Sequence, residues 1–212
     1  MIEKEATVFV VDDDQRLRDS VGALLRSVGL ESKLLASVSE FQTCKRPDAP
    51  CCLILDVRLP GGANGLNLQR DLEAAQDFIP TIFITGHGDV PMSVLAMKRG
   101  AVDFLLKPFR DQELLDAVEL GLARDRSRRE QEKDLSALRQ RFGSLSELER
   151  EVMAQVITGR LNKQIAADLG ITVATVKVHR SQVMRKMMVS SLAELTLMAE
   201  KLSSTNHLKI SP

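Results

Sequence analysis

Residues able to do chemistry stand at the ends of short apolar runs. Asp12, Asp13 and Asp14 follow Thr7-Val8-Phe9-Val10-Val11, and Asp56 closes Cys52-Leu53-Ile54-Leu55. Thr85 closes Thr81-Ile82-Phe83-Ile84, and Lys107 follows Val102-Asp103-Phe104-Leu105-Leu106. Carboxylates gathered in one pocket repel one another. They favour a hard divalent cation with oxygen ligands and retained waters, Mg2+ or Mn2+. Beside such an ion the Asp56 carboxylate can attack phosphorus as a nucleophile. Lys107 and the Thr85 hydroxyl can then stabilise the new phosphoryl oxygens. Gly86, next to Thr85, leaves room for that group.

These residues meet only if their runs are neighbouring strands of one sheet. The runs are apolar on both faces and alternate with helical periods. One such period passes through Leu17, Val21, Leu24, Leu25 and Val28 and is closed by Gly29. Others are marked by Leu66, Leu68 and Leu72, and by Val94, Leu95 and Met97 before Gly100. A weaker strand lies at Lys33-Leu34-Leu35. Strand–helix alternation with two-sided apolar strands predicts a parallel sheet covered on both sides. The fold class is therefore α/β, a doubly wound five-stranded parallel sheet, with ligands bound outside the carboxyl ends of the strands. This domain is expected over residues 1–123.

The rest of the chain has a different character. Residues 1–123 carry 13 Lys+Arg and 19 Asp+Glu, a net of 13 − 19 = −6; residues 124–212 carry 16 and 10, a net of 16 − 10 = +6. A basic half invites a polyanion such as nucleic acid. Residues 124–140 begin with a charge run free of apolar residues, from Arg124 to Lys133. They read as a charged helical linker, either a solvated helix or a short coiled coil. Residues 141–212 read as an all-α domain. Ser146 with Glu149 forms a capping box, Asn162 and Thr172 are expected to cap two further helices, and Ser190 or Ser191 a last one. On a wheel of the third helix, Val173, Val176, Val183, Met184 and Met187 fall on the core side. Lys177, Val178, Ser181 and Arg185 fall on the exposed side, suited to a major groove. Residues 160–186 hold six Lys or Arg against one Asp, which favours a phosphate backbone. Arg180 lies toward the core sector, where it is expected to snorkel to a phosphate or to pair with Glu149 or Glu151.

Two resemblances follow from these residues. Val10-Val11-Asp12-Asp13-Asp14, Leu55-Asp56-Val57-Arg58-Leu59-Pro60-Gly61, Ile84-Thr85-Gly86 and Leu106-Lys107-Pro108-Phe109 resemble the receiver domain of bacterial two-component response regulators, over about residues 5–123. Leu145-Ser146, Asn162-Lys163-Gln164-Ile165-Ala166, Leu169-Gly170-Ile171-Thr172 and Thr175-Val176-Lys177-Val178-His179 are similar to the LuxR-type helix-turn-helix, over about residues 141–202. The pair resembles the NarL/FixJ class, with wording near Val183–Met187 that leans toward the FixJ branch.

The resemblance implies a flavodoxin-like receiver and a role for each residue. Asp56 would be the phosphoacceptor, supplied by a sensor histidine kinase. Asp13, helped by Asp12, Asp56 and the backbone carbonyl of Arg58, would hold Mg2+. Thr85 would be the switch hydroxyl, Lys107 the phosphoryl-binding cation and Phe104 the aromatic switch. The bond before Pro108 would be cis. Phosphorylation would drive homodimerisation through residues 90–106 and binding to double-stranded promoter DNA. Lys163, Thr175, Lys177, Val178, Ser181 and Arg185 would make the DNA contacts, and RNA polymerase is a further candidate partner. The loop 60–64 is one residue longer than the usual pattern, which bears on kinase docking.

Several classes are disfavoured. A haloacid-dehalogenase-like phosphatase needs a second Asp two residues after the nucleophile, and that position is Arg58, so no enzyme is expected. An adaptor that had lost DNA binding would not need Lys177 and Arg185. Without Trp or Tyr, single-strand binding on aromatic platforms is disfavoured. Adjacent Cys51 and Cys52 read as buried strand thiols. No apolar run reaches the ~18–20 residues of a membrane span. The charged first residues lack a signal-peptide core, so a cytoplasmic protein with no membrane partner is expected.

Overall fold

The computed structural model describes residues 6–60, 64–86 and 90–205. The expectation about loop 60–64 falls largely on residues 61–63, outside the described residues. The chain divides into two units, Met1–Arg129 and Glu130–Pro212.

The first unit is built on strands β1 (Thr7–Val11), β2 (Glu31–Leu35), β3 (Cys51–Asp56), β4 (Thr81–Thr85) and β5 (Asp103–Leu106). All pair in parallel in the order β2-β1-β3-β4-β5. The strands alternate between two apolar faces, because successive side chains point to opposite sides. Val8, Val10, Cys52, Ile54, Ile82 and Ile84 pack with Val21 and Leu25 of α1 (Gln15–Ser27) and with Leu114 and Val118 of α5 (Asp111–Gly143). Phe9, Val11, Leu53, Leu55 and Phe83 pack on the other face. They meet Phe41 of α2 (Val38–Thr43), Leu66 and Leu68 of α3 (Gly65–Ala74) and Ala96 of α4 (Val90–Lys98). Cys51 and Cys52 are buried, and burial pushes the Cys52 thiol up to about 12.

The second unit contains α6 (Glu147–Ile157), α7 (Asn162–Leu169), α8 (Val173–Met187) and α9 (Leu192–Thr205). Its core joins Leu138 near the end of α5 with Val152, Met153, Ile165, Val176, Val183, Met187 and Leu195. The Ser146 capping box forms with both bonds present. Thr172 caps α8, its side chain accepting from the Thr175 N–H. Ser191 does the same for the Glu194 N–H ahead of α9.

Several expectations are corrected. Asn162 does not cap α7: the cap position is Leu161, whose N–H donates to Gln164 Oε1. Asn162 is the first helical residue, and its Oδ1 accepts from Arg180 Nη1 at 3.1 Å. Arg180 therefore pairs with neither Glu149 nor Glu151. The Glu149 carboxylate is taken by Lys186 at 2.6 Å, because Lys186 lies where α8 meets the start of α6. Val173, assigned to the core side, is exposed: as the first residue of α8 it lies at the mouth of the turn. Finally, the charge run 124–133 is not solvated throughout, since Asp125 is 1% exposed.

Candidate phosphoryl-transfer site and DNA-reading helix

The sheet order changes direction at β1, which has β2 on one side and β3 on the other. A crevice therefore opens at the carboxyl ends of β1 and β3, where Asp12 and Asp56 emerge. Asp12 is fully buried, Asp56 nearly so, and Asp13 is exposed. Ligand oxygens of Asp12, Asp13 and Asp56 lie within 4.8 Å of one another. Asp14 is drawn away from this cluster, because it caps α1 and accepts from the Arg16 N–H at 2.9 Å.

Lys107 closes the group. Its Nζ donates to Asp12 Oδ2 at 2.5 Å and to Asp56 Oδ2 at 2.6 Å. Asp12 Oδ1 accepts from the Asp14 N–H and Asp56 Oδ1 from the Arg58 N–H, each at 2.9 Å. Burial lifts the Asp12 carboxyl above its ordinary value, although Lys107 pulls it back. Burial alone would depress Lys107, but the two carboxylates outweigh it and hold the ammonium above its ordinary value. One ammonium, bonded to two of them, thus stands among three carboxylates. That excess of hard, negatively charged oxygen is a donor set that fits Mg2+ or Mn2+.

The neighbours are arranged around this pocket. Thr85 is buried at the end of β4, and its carbonyl accepts from the Lys107 N–H at 2.8 Å. The following peptide bond, Lys107–Pro108, is cis. Phe104 is half-buried, with its ring centroid 6.3 Å from that of Phe83. Gly65 was not singled out for the site from sequence, yet a Cβ there would stand 2.5 Å from the Asp56 carbonyl oxygen. Only glycine lets α3 start so close to the end of β3.

The second candidate surface is on α8. Lys177, Val178, Ser181 and Arg185 are exposed and line one depression together with Gln182, which sequence reasoning missed. Gln182 stands at the wheel boundary, so only its neighbours' burial shows which way it faces. Thr175 and Lys163 lie outside this depression. The Thr175 hydroxyl is 2.8 Å from that of Thr172 in the helix cap, and Lys163 is exposed in the first turn of α7. The turn before α8 is set by Gly170 at φ +65°.

Comparison with known proteins identifies this combination. The family model for the response regulator receiver domain matches residues 8–119, and that for bacterial regulatory proteins of the luxR family matches residues 143–199. The chain belongs to the two-component response regulators of the NarL/FixJ class. The regulator is 53% identical over 204 residues to nodulation protein W of Bradyrhizobium diazoefficiens, covering 96% of this chain and 89% of that protein. It is 43% identical over 192 residues to transcriptional regulatory protein FixJ of Azorhizobium caulinodans, covering 91% and 90%. Among solved structures it resembles response regulator StyR, with a TM-score of 0.83 at 48% identity, covering 93% of this chain and 100% of that one.

The regulator is thus not a phosphatase of the haloacid-dehalogenase kind; its relatives include transcriptional regulatory protein FixJ and response regulator protein TodT. Among the described residues no helix is long and apolar enough to cross a membrane.

Proposed function

We propose that the regulator is switched by phosphorylation of Asp56 and that the switched form dimerises and binds promoter DNA in the cytoplasm. The observation that carries this reading is the Lys107 ammonium held between Asp12 and Asp56, in a pocket that also contains Asp13. The donor is a phosphohistidine of a sensor kinase. Asp56 forms the new O–P bond as the P–N bond breaks, and the imidazole nitrogen leaves with the electron pair and takes a proton. The Arg58 N–H holds one Asp56 oxygen, which orients the carboxylate for attack. Asp12, Asp13, Asp56 and the Arg58 carbonyl are the groups that would hold Mg2+, which when bound neutralises charge on the phosphoryl oxygens.

Lys107 then exchanges its Asp56 contact for a phosphoryl oxygen, and the Thr85 hydroxyl donates to another. Drawing Thr85 toward the phosphoryl group vacates space beside Phe104, which turns inward. The face of α4 and β5 within residues 90–106 changes with it. Val94, Leu95, Met97 and Leu106 on that face are between 41% and 56% exposed, an apolar surface suited to a second receiver. The phosphoryl group shifts the population because it binds the active arrangement better. Pairing two helix-turn-helix units multiplies their DNA affinity through effective concentration. Lys177, Val178, Ser181 and Arg185 then read the major groove, Lys163 and Thr175 contact the backbone, and residues 124–140 act as the link. RNA polymerase is the partner such a complex would recruit.

Light scattering with Mg2+, before and after addition of beryllofluoride, tests the switch. The native chain goes from monomer to dimer, and Asp56→Asn stays monomeric. A dimer that forms equally in Asp56→Asn would overturn control through Asp56.

A further inference from the structure

A buried acid outside the phosphoryl site is fully engaged. Asp125 lies in α5 beyond the end of the expected receiver domain and is 1% exposed. Its Oδ2 accepts from the Cys51 backbone N–H at 2.9 Å and from Arg129 Nε at 2.8 Å. Its Oδ1 accepts from Arg128 Nε at 3.0 Å and from Arg128 Nη2 at 2.5 Å. Arg129 continues to Asp48 at 3.3 Å, in the loop before β3. One turn earlier on α5, Gly121 touches the same strand: a Cβ there would stand 2.5 Å from Cys52 Sγ. Gly121 lets the helix lie against β3, and Asp125 bonds it to the strand's first residue.

A buried carboxylate is retained only where its lone pairs are met, and removing one partner leaves an uncompensated charge. All four bonds to Asp125 are charge-assisted. The three from Arg128 and Arg129 lie within α5 and neutralise the acid, while the bond from the Cys51 N–H, with the Arg129–Asp48 pair beside it, crosses to the receiver and fixes the register of α5 there. The clamp has a particular place. The strand it grips, β3, carries Asp56 at its other end, and the helix it grips continues into the second unit's core at Leu138.

We infer that Asp125, with Arg128, Arg129 and the Cys51 N–H, is a positioning clamp. It fixes the α5 segment leading to the DNA-binding unit, and the phosphorylation-dependent gain in DNA affinity requires it. The second half of this inference rests on the phosphoryl switch proposed above; the first half does not.

The test uses full-length protein as the native chain, Asp125→Asn and Arg129→Gln. The second variant alters a more exposed partner and keeps the test open if the first does not fold. Hydrogen exchange over residues 124–135 is measured without beryllofluoride. DNA affinity is measured with and without it, on a duplex selected from a random pool by the native protein. Fluorine NMR follows beryllofluoride binding at Asp56. In the variants, amide protection in this segment falls by about tenfold or more, as for the loss of one hydrogen bond to a charged group. Beryllofluoride still binds, but its effect on DNA affinity falls from roughly 10²-fold, the scale of linked binding, to within about twofold. Native-like protection in a folded variant overturns the clamp whatever the DNA result. Lost protection with a native-like gain in DNA affinity overturns its role in coupling. Absence of any gain in the native chain overturns the coupling half together with the phosphoryl reading, while the exchange result still decides the clamp.

Discussion

Lys177 and Lys186 share one helix and one charge but face different partners. Lys177 is exposed in the α8 depression, whereas Lys186 Nζ donates to Glu149 Oε2 and to the Ser144 carbonyl. A charge that contacts phosphate releases counterions on binding, and one already neutralised by a buried carboxylate does not. Lys177→Ala is therefore expected to lower the slope of log affinity against log salt by about one, while Lys186→Met leaves the slope unchanged. Fluorescence anisotropy across a salt series reads both, and equal slopes for Lys177→Ala and the native chain would remove Lys177 from the phosphate contacts. Counting cations along residues 160–186 could not separate these two. The wheel placed Lys177 outward, but nothing local in sequence pairs Lys186 with an acid more than thirty residues away. Asp14 teaches the same lesson in reverse. It stands in a run of three aspartates, and only its bonds to the Arg16 and Leu17 N–H groups mark it as a helix cap.

At the scale of elements, the start of α6 and the end of α8 are joined through one carboxylate. Burial alone would push the Glu149 carboxyl up, but the Lys186 ammonium and the Ser146 N–H together hold it below its ordinary 4.5. The unfolded chain then binds a proton at higher pH than the folded unit does. This contribution is present in full above about pH 4.5 and is lost as pH falls through the depressed value. Glu149→Gln removes that acid-side dependence and costs about 1.5–3 kcal/mol, the worth of a hydrogen bond to a charged group. Thermal melts of the native chain and variant at pH 7 and pH 4 check this. The gap between their melting temperatures narrows at the lower pH, and a constant gap would mean Glu149 is not the titrating group. The elements themselves were largely legible, because two-sided apolar strands and capped amphipathic helices leave strong local patterns. The short helix α2 was not identified. Its signal was the pair Ser37 and Glu40, whose side chains satisfy the Glu40 and Ala36 N–H groups.

For the whole molecule, the proposed switch turns on assembly. Leu106 ends β5 at 56% exposure beside the apolar residues of α4. Exposed apolar groups of this kind are worth burying, and a charge placed among them must be desolvated when two copies meet. Under the proposed switch, Leu106→Glu is expected to fold like the native chain and bind beryllofluoride, yet to remain monomeric at concentrations where the beryllofluoride-treated native chain is expected to dimerise. Light scattering and melting curves measured together check it. Undiminished dimerisation would move the interface off this face.

The sequence by itself determined the class of fold, which residues stand at the strands' carboxyl ends and the presence of a helix-turn-helix. Those depend on periodicity, on caps and on motifs carried within a few residues. It also marked Asp56, Thr85 and Lys107 as a group, since a parallel sheet must bring the carboxyl ends of its strands to one edge. Only the tertiary structure decided which charges are already spent. The pairing of Lys186 with Glu149, of Arg180 with Asn162 and of Asp125 with Cys51 joins residues far apart in the chain. Burial makes the pairings of Glu149 and Asp125 obligatory, because a polar group taken out of water must find its partner wherever packing has brought one.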